Sequence, residues 1–382
     1  MANYDYEIVN GRKIRVRPKE TVSEIDKNGY FRRQPNHFTT PFGDGENDLK
    51  AEGNKRYRLV WAKLCHWSNR AAIVRELEGL EDQISVNMVE HAPHEKNLGW
   101  EYVYNENNID PVLGDQFLSE AYYRADDDYQ GRTTVPALID TTTGKVVNND
   151  YNWLTTYFEV NFLPWHKKGA RELYPVELRE EIDKMNLWLF DNINNAVYRS
   201  SFSRSNEGHF DGVNTFYAAM DRLEKRLETN RFIFGDYVTD SDIRLYVTLA
   251  RLDIRYTTQL GETKRPLYTY KNLWGYAKEL WEIPAFAHHT DFAAIIRQGR
   301  IEGEEDGFRA STHYDLALPK IDWDAQWKVS TERAYLSSDP THPIYLGNNR
   351  RFDIDPTWYD LGAESPKKEE KETPPSCGCC CG

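Results

Sequence analysis

The sequence lacks a surplus of basic residues, a long hydrophobic run and a secretory leader. Its 382 residues include 48 Lys and Arg against 61 Asp and Glu, a formal net charge of −13. This balance argues against nucleic-acid binding, because phosphate contacts need a basic surface. No run approaches the ~20 apolar residues of a membrane-spanning helix, and the first residues have neither the basic nor the apolar segment of a signal peptide. We therefore expect a soluble globular protein with no membrane partner.

Cysteine is scarce throughout the body of the chain. Residues 1–376 contain only Cys65, whereas the last six residues contain the other four cysteines, Cys377, Cys379, Cys380 and Cys381. The body therefore has no internal disulfide, which favours a reducing, cytoplasmic location. Contiguous cysteines do not easily surround one tetrahedral zinc ion, whose sites normally use two separated ligand pairs. We predict no metal site.

Hydrophobic periodicity divides the chain into segments of different character. Residues 1–54 predict an extended N-terminal arm, and residues 55–165 predict the order strand, helix, strand, helix, strand, strand, helix. That order indicates an α/β sheet with one antiparallel hairpin. Residues 175–318 predict an all-helical domain. A C-terminal extension follows at 319–362, and residues 363–382, which are poor in apolar side chains, predict a disordered tail.

Cys65 stands where a predicted strand passes into a helix. Unpaired backbone N–H groups and the positive end of the helix dipole favour a thiolate there, although a lone cysteine is commonly an inert core residue. Val135 and Pro136 open a later strand that would run beside this helix start. In thioredoxin-like folds a cis-proline at that place turns backbone groups outward to pair with a thiol peptide. The combination indicates a thiol site with a cysteine nucleophile.

Several segments of the sequence resemble the glutathionyl-hydroquinone reductases, the Xi-class relatives of the glutathione transferases. The resemblance runs from about residue 28 to about residue 300, in chain order. It implies a thioredoxin-like N-terminal domain, an all-helical glutathione-transferase C-terminal domain and a homodimer. The segments are 31–34 (FRRQ), 64–68 (LCHWS), 73–81 (IVRELEGLE), 99–100 (GW), 128–136 (DYQGRTTVP), 219–224 (AMDRLE), 239–249 (TDSDIRLYVTL) and 270–273 (YKNL).

The resemblance also implies a two-step thiol exchange on a small aromatic S-conjugate. Cys65 would attack the sulfur of a glutathionyl group on a hydroquinone, and a second glutathione would resolve the mixed disulfide. Tyr256 matches a tyrosine of the family's substrate pocket. The positions that match the family's thiol-binding residues are Trp100, Arg132, Val135, Pro136, Asp150 and Tyr151.

Three departures from the family pattern affect this site. The usual Cys-Pro-Trp-Ala reads Cys-His-Trp-Ser here, so His66 could assist the thiolate or exchange protons. A Glu-Ser pair that holds the γ-glutamyl end of glutathione becomes Asp150 and Tyr151, which predicts weak glutathione binding or a related low-molecular-weight thiol. The stretch 296–301, where the family has substrate tyrosines, has none.

Two other functions stay open from the sequence. Another thiol transferase reaction, such as dehydroascorbate or mixed-disulfide reduction, would use the same cysteine. A catalytically silent module that only binds conjugates would also fit the altered motif. Separately, Thr239 followed by Asp242 predicts a capping box that starts a helix and has a structural role.

Overall fold

The computed structural model describes residues 4–17, 23–92, 97–256, 260, 265–296 and 321–337. The strands are β1 (Tyr6–Val9), β2 (Arg12–Arg15), β3 (Tyr57–Trp61), β4 (Ile84–Met88), β5 (Glu90–His91), β6 (Trp100–Glu101), β7 (Ala137–Asp140) and β8 (Lys145–Asn148). The α-helices are α1 (His66–Leu77), α2 (Leu118–Ala125), α3 (Leu154–Val160), α4 (Arg179–Leu189), α5 (Ala196–Phe202), α6 (Asn206–Arg226), α7 (Asp240–Arg251), α8 (Lys271–Trp281), α9 (Pro284–His288) and α10 (Trp323–Trp327).

A four-stranded mixed sheet organises the first half of the chain. Its strand order is β4-β3-β7-β8, with β3 parallel to β4 and antiparallel to β7. β7 and β8 form the antiparallel hairpin that the sequence predicts. Helices α1, α2 and α3 follow β3, β6 and β8 along the chain. The predicted order of strands and helices is thus present, and the fold is the thioredoxin-like one.

The N-terminal segment contains a β-hairpin that the sequence analysis did not predict. β1 and β2 pair antiparallel across Asn10 and Gly11, whose φ angles are 50° and 79°. Two successive residues with positive φ make the type I′ turn that an Asn-Gly pair favours. The Asn-Gly pair between two short strands was the available signal; Tyr6 and Ile8 of β1 are exposed, so this strand adds little to the buried core.

The second half of the described chain is helical, as predicted. Two of its helices end in a π-helical turn, at Phe190–Asn194 after α4 and at Leu252–Tyr256 after α7. α5 and α6 pack closely because Gly212 has no side chain: a Cβ there would collide with the backbone of Ser200. One continuous core joins this half to residues of α1, α3 and the sheet.

The predicted capping box at the start of α7 is confirmed. The backbone N–H and the hydroxyl of Thr239 both donate to the Asp242 carboxylate, at 2.8 and 2.9 Å. Asp242 also accepts from the Ile233 N–H and the Tyr276 hydroxyl, so the box anchors α7 to its neighbours. Among the helices that the structure describes, none has the length and apolar character needed to cross a membrane. The predicted tail, 363–382, lies outside the described residues.

Candidate active site

A cavity of about 420 Å³ opens beside Cys65. We call it the Cys65 cavity. Its wall is built by the sheet half, the helical half and the N-terminal arm together. It brings together the sequence-predicted residues Cys65, Trp100, Arg132, Val135 and Tyr151, whereas His66, Pro136, Asp150 and Tyr256 are not in its wall.

Cys65 is the N-cap residue of α1 and is 8% exposed. This position places its sulfur at the positive end of a 12-residue helix. The Cys65 side chain makes no capping hydrogen bond with the described residues of that helix. The sulfur lies 3.7 Å from the carbonyl oxygen of Val135. The Val135–Pro136 peptide bond is cis. A thiol compound in the cavity therefore meets the Cys65 sulfur and the backbone of Val135 at one place.

Two buried side chains hold the loop that carries Cys65. The Ser68 hydroxyl accepts from the Ala62 N–H at 3.1 Å and lies 3.3 Å from the Cys65 carbonyl oxygen. Arg251, at the end of α7, donates to the carbonyl oxygens of Lys63 and Leu64 at 2.8 and 2.7 Å. The helical half thus fixes the loop that carries Cys65. Sequence reasoning missed Arg251, although a single basic residue in the apolar run around it was a signal.

His66 joins the two halves of the protein rather than facing the thiol. Its Nδ1 lies 3.2 Å from the hydroxyls of both Thr248 and Tyr256, and it is 1% exposed. Burial lowers the pKa of His66 well below its ordinary value, and the positive charge of Arg251 adds to the shift. Between the described side chains of His66 and Cys65 there is no hydrogen bond. A neutral imidazole in this position supports the interface, and the assistance of His66 to a Cys65 thiolate stays a prediction.

Trp100 and Arg132 form one end of the cavity. The Trp100 indole N–H donates to the Thr133 carbonyl at 3.0 Å, and its ring stacks on His91 with centroids 3.7 Å apart. The Arg132 guanidinium pairs with Glu24 of the arm at 2.8 Å. A ligand carboxylate that binds Arg132 must therefore compete with Glu24 or bind beside it.

Asp150 and Tyr151, although adjacent in sequence, have different surroundings. The Asp150 carboxylate is 8% exposed and accepts from the Asn36 side chain at 2.9 Å and from the Asn152 N–H at 3.0 Å. Tyr151 lines the cavity, and its ring centroid lies 4.8 Å from that of Trp67. The predicted contact of Asp150 with a thiol ligand stays a prediction: Asp150 is not in the wall, but its partner Asn36 is.

The arm forms part of the cavity wall, which the sequence analysis did not foresee. The backbone N–H of Phe31 donates to the Ser203 hydroxyl at 3.1 Å, which ties the arm to the helical half. Gln34 accepts from the Arg132 N–H at 2.8 Å, which ties it to the sheet half. The FRRQ segment was part of the family resemblance, but no local pattern showed that it would cross the cavity.

Tyr198 of α5 is a second site residue that sequence reasoning missed. It lines the cavity among other rings, with centroid distances of 5.7 Å to Trp67, 6.5 Å to Phe31 and 5.6 Å to Phe202. These rings give the helical side of the cavity an aromatic wall that suits a flat ring. The predicted loss of tyrosine at 296–301 falls mostly outside the described residues, as do Cys377, Cys379, Cys380 and Cys381.

Comparison with known proteins agrees with this geometry. The family described as "Glutathione S-transferase, C-terminal domain" matches residues 196–279. The glutathionyl-hydroquinone reductase YqjG of Escherichia coli is 33% identical over 240 residues, 63% of this chain and 73% of the relative.

Two solved structures have the same fold. The glutathione-S-transferase Xi of Phanerochaete chrysosporium superposes with a TM-score of 0.64 at 33% identity, covering 71% of this chain and 87% of that one. The glutathione-bound structure of YqjG gives a TM-score of 0.61 at 32% identity, covering 70% and 87%.

A thioredoxin-like sheet, a helix-starting cysteine and an attached helical half define an enzyme of the glutathione-transferase class. Within that class, the chain belongs to the Xi-class glutathione transferases, the family of the glutathionyl-hydroquinone reductases.

Proposed function

We propose that this protein is a glutathione-dependent reductase that removes the glutathionyl group from hydroquinone-type S-conjugates. The observation that carries the proposal is the position of the Cys65 sulfur. It lies at the start of α1, 3.7 Å from the Val135 carbonyl, in a cavity whose helical side is lined by aromatic rings. Cleavage of a thioether that joins a thiol peptide to a flat ring needs a nucleophile that lies between a site for the peptide and a site for the ring.

The proposed reaction has two steps. The Cys65 thiolate attacks the glutathionyl sulfur, so that an S–S bond forms and the bond between that sulfur and the ring carbon breaks. The electron pair of the broken bond stays with the ring carbon, which takes a proton from solvent. The thiolate of a second glutathione then attacks the mixed disulfide and releases glutathione disulfide. Two sulfurs are oxidised, the ring carbon is reduced, and the Cys65 thiolate is regenerated.

Glutathione is the thiol that this site supports best. The relative YqjG has been solved with glutathione bound. In this chain, Trp100, Arg132 and Val135 line the cavity on the side of the sheet. Arg132 can bind a carboxylate of the peptide if its ion pair with Glu24 breaks or if the guanidinium binds both carboxylates. We further propose that the protein works as a cytoplasmic homodimer, which sedimentation equilibrium tests for the purified chain.

The decisive experiment uses the full chain with its four tail cysteines replaced by serine. We expect this protein to release hydroquinone and glutathione disulfide from an S-glutathionyl hydroquinone, and Cys65→Ser in the same background to fall to the uncatalysed rate. Without free glutathione, the first protein should gain the mass of one glutathionyl group on Cys65.

Each alternative function has its own result. A reductase of another kind would turn over dehydroascorbate or a mixed disulfide and leave the conjugate intact. A silent binding module would bind the conjugate without turnover and without modification of Cys65. Full turnover by Cys65→Ser would refute the proposed mechanism.

A further inference from the structure

The Cys65 cavity is lined by an excess of positive charge. Among the described residues in its wall are one acidic residue, Glu24, and five arginines: Arg17, Arg33, Arg132, Arg204 and Arg255. The whole chain carries a net charge of −13. The charge of the cavity wall is therefore opposite in sign to that of the chain as a whole. Guanidinium groups that share a low-dielectric cavity repel each other. An anionic ligand would relieve that repulsion.

The arginines fall into two groups at different sides of the cavity. Arg17 and Arg132 belong to the side of Trp100; burial and the charge of Arg132 lower the pKa of Arg17. Arg33, Arg204 and Arg255 belong to the aromatic side, and we call these three the arginine face. Glutathione presents two carboxylates and one ammonium. The arginines on the Trp100 side and Glu24 match those charges, which leaves the arginine face for another part of the ligand.

Arg33 is held in place at the centre of this face. Its guanidinium carbon lies 4.4 Å from the ring centroids of both Trp67 and Tyr198. Its Nε donates to the Asn195 side chain at 3.1 Å. Its Nη2 is buried and has no hydrogen-bond partner among the residues that the structure describes. An unsatisfied buried N–H costs free energy, and an oxygen of a ligand would supply the missing acceptor.

The other two members line the same cavity. Arg204 lies two residues after Phe202, whose ring is 5.5 Å from that of Phe31, and the backbone N–H of Arg204 donates to the Gly29 carbonyl at 2.7 Å. Arg255 lies in the π-helical turn after α7 and is 7% exposed. Both Arg33 and Arg255 lie near His66 and contribute to lowering its pKa. The arginine face and the aromatic wall therefore line one cavity, and Arg33 contacts the rings directly.

We propose that the arginine face binds a carboxylate carried by the aromatic ring of the conjugate. The preferred substrates are then S-glutathionyl conjugates of dihydroxybenzoic-acid type rather than of uncharged hydroquinones. This inference rests on the proposed function and specifies its substrate class. It assigns Arg33 as the residue that determines specificity, because its buried N–H group has no protein acceptor.

The test compares two conjugates that differ in charge but hardly in shape. They are the S-glutathionyl conjugates of 2,5-dihydroxybenzoic acid and of 2,5-dihydroxybenzamide. We expect kcat/KM for the acid to exceed that for the amide at least about tenfold at low ionic strength, the lower end for one charge-assisted hydrogen bond. Added salt should reduce this ratio, because ions screen the arginines.

Variants of Arg33 test whether this residue causes the preference for the acid conjugate. Arg33→Gln should lower kcat/KM for the acid about tenfold more than kcat/KM for the amide, and Arg33→Lys should keep part of the preference. Arg265→Gln is the matched control: this arginine pairs with Asp221 away from the cavity and is 44% exposed, so the same charge is lost with no effect on the ratio.

The outcomes separate this inference from the proposed function. Equal turnover of acid and amide by the unaltered protein, or an equal loss for both in Arg33→Gln, would overturn the inference and leave the reductase activity standing. The second result would mean that Arg33 contacts the glutathionyl part. If neither conjugate is turned over, the proposed function fails. Calorimetric binding of both conjugates to Cys65→Ser then still decides whether the arginine face selects the acid.

Discussion

Arg251 shows how a residue distant in sequence positions Cys65, the nucleophile that we propose. Its guanidinium is fully buried and bonds four acceptors: the backbone oxygens of Lys63, Leu64 and Val247 and the side-chain oxygen of Asn69. The first two acceptors belong to the loop that ends at Cys65. No other side chain described in this loop's surroundings donates to both carbonyls. Arg251 is therefore a positioning residue, since it acts on Cys65 through the backbone.

We predict that Arg251→Leu lowers the free energy of unfolding by about 3 kcal/mol or more, because it leaves two buried carbonyl oxygens without a donor. Conjugate turnover should fall further than stability accounts for, with kcat affected more than KM, as the thiol loses its fixed place. Urea unfolding and steady-state kinetics measure the two effects. Arg251→Lys should rescue part of both. A Leu variant with unchanged kcat below its unfolding transition would contradict the positioning role.

At the scale of elements, helix α1 follows β3 of the sheet half and also contacts the helical half. Of its residues, all except Glu76 are buried, so polar side chains on the helix find partners in the helical half. The Asn69 side chain donates to the His289 carbonyl at 2.7 Å. Glu76 accepts from His288 Nδ1 at 2.8 Å, and His289 Nε2 lies 3.0 Å from its other carboxylate oxygen. These bonds connect α1 to the end of α9.

The contacts of Glu76 with His288 and His289, which we call the Glu76 clamp, predict a pH-dependent stability. The contact with His289, together with that with His288, lowers the pKa of Glu76 to about 2 from an ordinary value of 4.5. The stabilisation is therefore present above about pH 4.5 and is lost as the pH falls toward 2. Because the carboxylate is partly exposed, we expect Glu76→Gln to lower the free energy of unfolding by only about 1 kcal/mol at pH 5.

Urea unfolding of both proteins between pH 5 and pH 2 measures this difference, which should shrink to zero at the acid end. His289→Ala should remove most of the same pH dependence, and adding it to Glu76→Gln should change little further. A difference between the parent and Glu76→Gln that stays constant over this range would rule out the clamp.

At the scale of the whole molecule, the N-terminal arm connects the two halves across the Cys65 cavity. It bonds the helical half through Phe31 and Arg33 and the sheet half through Glu24, Gln34 and Asn36. The same segment lines the cavity beside Cys65, which is only 8% exposed. The arm therefore limits access to the thiol.

We predict that a chain lacking residues 1–36 exposes Cys65 and is alkylated several-fold faster by a bulky thiol reagent than the full chain. Both proteins carry serine at the four tail positions, so that only Cys65 reacts. The double variant Phe31→Ala with Gln34→Ala keeps the chain whole and should react at an intermediate rate. Far-UV circular dichroism monitors folding. Equal alkylation rates in natively folded proteins would show that the arm does not cover the thiol.

Local chemistry in the sequence by itself determined the order of strands and helices, the helical second half and the capping box at Thr239 and Asp242. These features depend on neighbours a few residues apart, which periodicity and spacing report directly. The sequence also indicated that Cys65 stands at a helix start. The helix begins at His66, however, before the residues that show the apolar periodicity of a helix. His66, Asn69 and Arg70 look exposed in the sequence but are buried against partners far along the chain.

Only the tertiary structure decided which side chains build the cavity. Arg33 reaches Asn195 across 162 positions, Asn36 reaches Asp150 across 114, and Arg251 reaches Leu64 across 187. No period or motif encodes such pairs, because each depends on how the arm and the helices pack on the sheet. The same packing brings Asp150 to Asn36 and His66 to Thr248, and it places Tyr151, Tyr198 and Arg33 in the wall of the Cys65 cavity.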